Sequence, residues 1–191
     1  MTALTLNLEP ITDLTDEQFK DLCQANPDLQ LELTAAGELI VMPPTGWESG
    51  RRNANLTTDL NLWNRQAKLG IVFDSSTGFK LPNGAIRSPD AAWVKQDRLD
   101  ALNSDPDGFL PLAPDFVIEL RSASDRLKPL QAKMQEYIEN GVRLGWLLNP
   151  KDQTVAIYRP DQTVEVLQFP ARLSGEEILV GFELDLKGIF N

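Results

Sequence analysis

The sequence predicts a single α/β domain in which a mixed β-sheet is flanked by helices. Segments with helical caps and apolar residues at i, i+3, i+4 spacing alternate with short apolar runs bounded by Gly, Pro and Asn, which is the pattern of strands. The 191 residues are 42% hydrophobic and 24% charged, the balance of a folded chain long enough to bury a full core. No repeat, linker or low-complexity tract divides the chain. Residues 1–191 therefore read as one domain: an N-terminal helix and hairpin over 1–45, a core over about 46–150, and a C-terminal hairpin and tail over 151–191.

The elements follow in order. Thr15-Asp-Glu-Gln18 is a capping box, and Phe19, Leu22 and Cys23 form the apolar stripe of a short helix that runs to about Ala25. Cys23 on that stripe reads as core packing. Residues 29–34 and 38–42 form a hairpin around Ala35-Ala-Gly37. After Pro43-Pro-Thr-Gly46 comes a long polar helix over about 47–68, with Leu56, Leu60, Trp63 and Ala67 on one face and Gly70 as terminator. Ile71-Val-Phe73 is a short strand. Residues 78–81 and 85–87 flank Pro82-Asn-Gly84, a hairpin signal, and Ala91–Val94 is a strand directly after Ser88-Pro-Asp90.

Residues 96–113 read as a short helix and a loop, and Phe116-Val-Ile-Glu-Leu120 as a compact strand. A helix then starts between 125 and 129 and reaches Asn140, with Gly141 as its C′ residue. Val142–Leu148 is a buried strand ending at Asn149-Pro150. Residues 154–159 and 163–168 pair around Pro160-Asp161, and the tail over 181–190 closes against the body.

The chain has one cysteine and no histidine. Internal disulfides, Ser-His-Asp triads, Cys-His nucleophiles and His-based zinc sites are excluded. No apolar run reaches the roughly 20 residues of a membrane span, and no secretory signal is visible at Met1-Thr-Ala-Leu-Thr5, so a cytoplasmic protein without a membrane partner is expected. The net charge is −10, which as a whole repels nucleic acid. It is uneven: among residues 1–40 eight acids face a single lysine, whereas Arg121, Arg126, Lys128 and Lys133 face only Asp125 in the stretch 121–133. Such a basic island is compatible with a local phosphate site.

Glu119 is the one charge inside its apolar strand, and Asp90 heads another. Each has an ordinary reading, alternation for Glu119 and a turn for Asp90. Together, two carboxylates on strands that can be sheet neighbours, with no histidine nearby, make a hard oxygen site suited to Mg²⁺ or Mn²⁺. On a helical wheel Lys133 falls at the margin of the face formed by Leu130, Met134, Tyr137 and Ile138, so its ammonium can reach the sheet edge where Glu119 and Arg121 end, or lie solvated on the flank. Ser122 and Ser124 read as helix-entry caps before phosphate contacts. Trp63, Trp93 and Trp146 read as core, and Trp47 as packing before base stacking.

Ser88-Pro-Asp-Ala-Ala-Trp-Val94, Pro114-Asp-Phe-Val-Ile-Glu-Leu-Arg-Ser122 and the run from Lys133 to Pro150 resemble the Uma family, Uma-two type, of restriction endonucleases in the PD-(D/E)XK nuclease superfamily. Met42-Pro-Pro-Thr45 and Gly181-Phe-Glu-Leu-Asp-Leu186 extend the resemblance to roughly residues 10–190. It implies a restriction endonuclease-like fold with additional hairpins, residues 46–150 being the nuclease core. It further implies Asp90 and Glu119 as metal ligands, the Leu120 carbonyl completing the inner sphere, and Glu48 as an additional acid from the first core helix. The chain departs from the pattern in one place. Where Glu-x-Lys is expected it has Glu119-Leu-Arg121, and a guanidinium clamps phosphate but does not readily replace an ammonium that positions water. Lys133 is expected to supply that ammonium from the helix.

The expectation is an Mg²⁺- or Mn²⁺-dependent DNA endonuclease, active as a homodimer, with Asp90 and Glu119 on the metal, Lys133 at the attacking water and Arg121 on phosphate. The alternatives are a catalytically silent nuclease fold that binds DNA or protein, and a phosphodiesterase for RNA or small molecules.

Overall fold

The computed structural model describes residues 3–9, 12, 14–102 and 108–190. The chain runs β1 (Leu4–Leu6), α1 (Asp16–Ala25), β2 (Gln30–Leu33), β3 (Leu39–Met42), α2 (Trp47–Ala67), β4 (Gly70–Asp74), β5 (Phe79–Lys80), β6 (Ile86–Arg87) and β7 (Ala91–Lys95). It continues through α3 (Gln96–Asp100), β8 (Phe116–Leu120), α4 (Leu127–Glu139), β9 (Leu144–Asn149), β10 (Thr154–Tyr158), β11 (Glu165–Gln168), β12 (Arg172–Ser174), β13 (Glu183–Asp185) and α5 (Lys187–Phe190). No helix among the described residues is long and apolar enough to cross a membrane.

The central sheet has six strands in the order β11-β10-β9-β8-β7-β4. It is mixed, because β8 and β9 are parallel and joined through α4 while the other pairs are antiparallel. Both faces are covered, so β8 and β9 are buried along their whole length, as strands inside a two-sided sheet must be. One face packs Trp93, Phe116, Ile118 and Trp146 against Leu56 and Leu60 of α2 and against Leu184, Leu186 and Ile189 of the tail. The other packs Ala92, Val94, Val117 and Leu147 against Met134 and Tyr137 of α4. At Gly145 the tip of Met134 of α4 sits directly on β9, 2.5 Å from where a Cβ would lie.

A second sheet, β1-β3-β2-β6-β5, packs α1 through Phe19, Leu31, Leu33, Leu39 and Ile86. Helix α1 starts with the expected capping box: Thr15 Oγ1 accepts from the Gln18 amide at 3.2 Å, and Gln18 Oε1 accepts from the Thr15 amide at 3.0 Å. The chain passes from β6 into β7 through Ser88-Pro89-Asp90, so the two sheets meet where Asp90 sits.

Several local expectations change. Helix α2 is ended by Lys68, which takes the left-handed conformation (φ 53°) and returns its amide to the Asn64 carbonyl. Gly70 instead opens β4, where a Cβ would collide with the Val94 carbonyl and lie 2.7 Å from the Trp93 ring. Its smallness is needed for packing rather than termination. Strands β1, β12 and β13 and the short helix α5 lie beyond the expected elements, because runs of three or four residues carry too little pattern to read. Residues 103–107 of the expected loop lie outside the described residues.

Two substitutions test this packing. Gly70→Ala should cost about 1–3 kcal/mol in urea unfolding through overpacking. Gly50→Ala, inside α2 with only the Thr45 methyl near its Cβ at 3.8 Å, should gain roughly 0.5–1 kcal/mol.

Candidate active site

The β7–β8 register pairs Ala91 with Ile118 and Ala92 with Val117. Extended by one residue, it sets Asp90 opposite Glu119 at the C-terminal end of β8. Asp90 Oδ2 accepts the Leu120 amide at 2.7 Å, and Asp90 Oδ1 accepts Asn53 Nδ2 of α2 at 2.6 Å. Glu119 is 4% exposed. Its Oε1 accepts from Tyr137 Oη at 3.1 Å and lies 2.8 Å from Lys133 Nζ. Lys133 and Tyr137 are one turn apart on α4, so both reach the end of β8 from the same face. The three residues singled out in the sequence therefore converge, and Glu119 does not face solvent as simple alternation suggests.

A fourth residue completes the cluster. Glu32, in the middle of β2 and 2% exposed, accepts Lys133 Nζ on Oε1 at 2.7 Å. The Ser88 amide donates to the same oxygen at 2.9 Å, and Arg87 donates to Oε2 at 3.2 Å. Arg87 in turn holds Glu136 of α4 at 2.7 Å. Sequence reading places Glu32 merely among the N-terminal acids. Leu31-Glu-Leu33 looks like a half-exposed strand, and only the pairing of β2 with β6 brings it beneath α4.

One ammonium cannot neutralise two carboxylates equally, and the surroundings divide it. Burial would raise the Glu32 carboxyl, but Lys133, Arg87 and the Ser88 amide outweigh it and hold the group below its usual range. Glu119 is pushed up to about 7 by burial and by the charges of Asp90 and Glu32, against the pull of Lys133. Burial also raises Asp90, partly offset by the Leu120 amide, Lys133 and Asn53. Lys133 is held well above the ordinary lysine value, because Glu119 and Glu32 overcome its desolvation. The Tyr137 hydroxyl, raised by burial and both acids, stays neutral.

The other expected residues lie around this core. Arg121 turns from Glu119 toward the Asp125 carbonyl at 3.3 Å, Asn149 at 3.3 Å and Asp152 at 3.2 Å. Glu48, in the first turn of α2, pairs with Arg51 at 3.2 Å and Arg52 at 3.1 Å. Ser122 and Ser124 do not cap α4. Its N-cap is Arg126, without a side-chain cap, and the serine hydroxyls lie 3.1 Å apart. With Lys133 turned inward and Arg121 paired, the basic island of residues 121–133 presents fewer free charges than its composition suggests. Trp47 is not packed but 78% exposed, while Trp93 and Trp146 are buried and Trp63 packs on the core.

The donor chemistry fits a hard divalent cation. Glu119, Glu32 and Glu136 share ion pairs with two cationic side chains, Lys133 and Arg87, and Asp90 stands opposite Glu119, so with every carboxylate ionised the four acids outnumber the two cations by two. One Mg²⁺ or Mn²⁺ at Asp90 and Glu119 would balance that excess. Among the described residues no His, Cys, Asp and Glu side chains gather in threes as a metal cage. The remaining ligands would be backbone, amide or water oxygens, as Mg²⁺ commonly uses.

A family model, Uma2, described as "Putative restriction endonuclease", matches residues 16–187 and so spans every residue of the cluster. Among solved structures, that of "a putative nuclease belonging to DUF820" from Anabaena variabilis superposes with a TM-score of 0.77. The two chains are 21% identical over 93% of this chain and 97% of that one, a likeness that shows a common fold. No curated protein matches the chain.

Two measurements check the electrostatics. Glu32→Ala leaves Lys133 and Arg87 buried without their shared acid and should cost about 3–5 kcal/mol in urea unfolding. Glu48→Ala, which removes part-exposed pairs, should cost under about 1 kcal/mol. Without divalent ions, folded Glu119 keeps a proton that the unfolded chain has already released, so the stabilisation present in acid is lost as pH rises through about 7. The melting temperature in EDTA should therefore fall between pH 6 and pH 8, and Glu119→Gln should flatten that slope.

Proposed function

The chain belongs to the Uma2 family, and on that premise we propose that it is an Mg²⁺- or Mn²⁺-dependent DNA endonuclease of the cytoplasm that hydrolyses phosphodiester bonds at Asp90, Glu119 and Lys133. The observation that carries the reading is the Lys133 ammonium, 2.8 Å from Glu119, which the strand register sets opposite Asp90. A nuclease site of this kind needs an ammonium beside its acidic pair. Here the strand offers Arg121, and the helix delivers the lysine.

Asp90, Glu119 and the Leu120 carbonyl would hold the cation, while Glu48 of α2 stays with Arg51 and Arg52. When bound, the cation supplies Lewis-acid stabilisation of the phosphoryl oxygens and acidifies a water. The protein groups do the rest. Lys133 stays protonated throughout, so it serves as a hydrogen-bond donor that orients the attacking water and stabilises charge on the phosphoryl group, and not as a base. Glu32 also holds that ammonium, at 2.7 Å, which would keep Lys133 in place when Glu119 turns to a ligand. Tyr137 fixes the Glu119 carboxylate by its hydroxyl. Arg121 contacts phosphate by exchanging its pair with Asp152, whose side chain is 54% exposed and so holds it only loosely. Cutting both strands calls for two copies, so the active form is a homodimer.

A silent nuclease fold that binds DNA or protein is the second reading. Arg121 favours it, because the strand position of the lysine holds a guanidinium already tied to Asn149 and Asp152.

Nicking of supercoiled plasmid at low salt with Mg²⁺ or Mn²⁺ separates the two. Wild type should nick, and Asp90→Asn, Glu119→Gln and Lys133→Met should each lose roughly 10²-fold or more. Binding without cleavage under any divalent ion would select the silent fold, and cleavage of RNA or cyclic nucleotides alone would select a different phosphodiester. Arg121→Ala should weaken DNA binding and reduce its salt slope by about 1. Sedimentation at two concentrations checks the dimer.

A further inference from the structure

Asn53 carries an observation that the ion pairs of the site leave unexplained. Its Nδ2 donates to Asp90 Oδ1 at 2.6 Å, but its Oδ1 is buried and has no hydrogen-bond partner among the described residues. A buried amide oxygen left in that state is unfavourable. Turning the amide over does not relieve it, since the oxygen would then face the Asp90 carboxylate. Asp90 therefore fixes which way the amide points, and the oxygen is left as a free hard acceptor beside a carboxylate. The other unpartnered buried side-chain atoms among the described residues, Arg52 Nε and Trp146 Nε1, are donors.

We propose that the Asn53 side-chain oxygen is a ligand of the same divalent cation that Asp90 and Glu119 hold, which makes α2 the third element of the metal site. This rests on the metal-dependent reading above. A neutral oxygen suits the place. Asp90 and Glu119 already match a divalent charge, and a third carboxylate beside them would leave the cluster negative again. Glu48, the other candidate on α2, lies five residues earlier and so about 140° away around the helix. It is already paired with Arg51 and Arg52. Asn53 is the α2 side chain in hydrogen-bond contact with Asp90.

The experiment is calorimetric titration of the full chain with Mn²⁺ at fixed pH, using wild type, Asn53→Ala and Asn53→Asp, with the melting temperature of each recorded with and without Mn²⁺. The inference predicts roughly tenfold weaker Mn²⁺ binding in Asn53→Ala. It predicts affinity restored or exceeded in Asn53→Asp, whose melting temperature should be lower without metal and rise more on adding Mn²⁺ than that of wild type. Equal affinity of wild type and Asn53→Ala would overturn it. So would an Asn53→Asp protein that binds as weakly as Asn53→Ala, since Asn53 then only buttresses Asp90 through its N–H. If wild type itself takes up no Mn²⁺, the metal-dependent reading fails, an outcome distinct from failure of Asn53 alone.

Discussion

The Lys133 ammonium, buried and shared between Glu119 and Glu32, is the interaction on which the site is built. Taking a lysine out of water costs several kcal/mol unless opposite charge receives it. Here two carboxylates from different sheets do so, 14 and 101 residues away in sequence. The same arrangement leaves the cluster with more negative than positive charge. Burial then drives Glu119 toward the protonated form near neutral pH, a state that a divalent cation would reverse by supplying the missing charge.

The fold makes this cluster possible by joining two sheets at one point. Asp90 lies where the chain leaves β6 of the five-stranded sheet for β7 of the six-stranded one, so Glu32 and Arg87 from the first sheet meet Asp90 and Glu119 from the second. Helix α4 closes the cluster from one face with Lys133, Tyr137 and Glu136, and α2 brings Asn53 from the other. The position, at the C-terminal end of β8 beside its parallel crossover to β9, is where open α/β sheets generally bind their ligands. Gly70 keeps β4 close to β7, since a Cβ there would collide with the Val94 carbonyl and the Trp93 ring.

Much of this was legible in the amino-acid order because it is encoded locally. The capping box at Thr15, the Asn-Gly turn before Ala85 and the apolar run Phe116–Leu120 each announce their element within a few residues. A helical wheel needs only the 3.6-residue period to put Lys133 at the margin of the buried face of α4, where it meets Glu119. What escaped depends on contacts distant in sequence. Glu32 looks like a surface acid until β2 pairs with β6 and α4 covers it. Asn53 is one polar residue among many on a polar helix, and its meaning comes only from Asp90, 37 residues on. Gly70 was read as a helix stop because Gly after a helix commonly is one, yet Lys68 adopts the left-handed turn and Gly70 makes room for Trp93. Trp47, at the junction of loop and helix, reads as packed, yet it is 78% exposed. No short-range signal in the sequence distinguishes these cases.

The most direct measurement is anomalous diffraction from crystals grown with Mn²⁺. One peak per chain is expected, roughly 2.0–2.6 Å from carboxylate oxygens of Asp90 and Glu119, with Lys133 still bound to Glu32. Saturating Mn²⁺ that leaves this position empty, or that appears only at other carboxylates, would contradict this metal site.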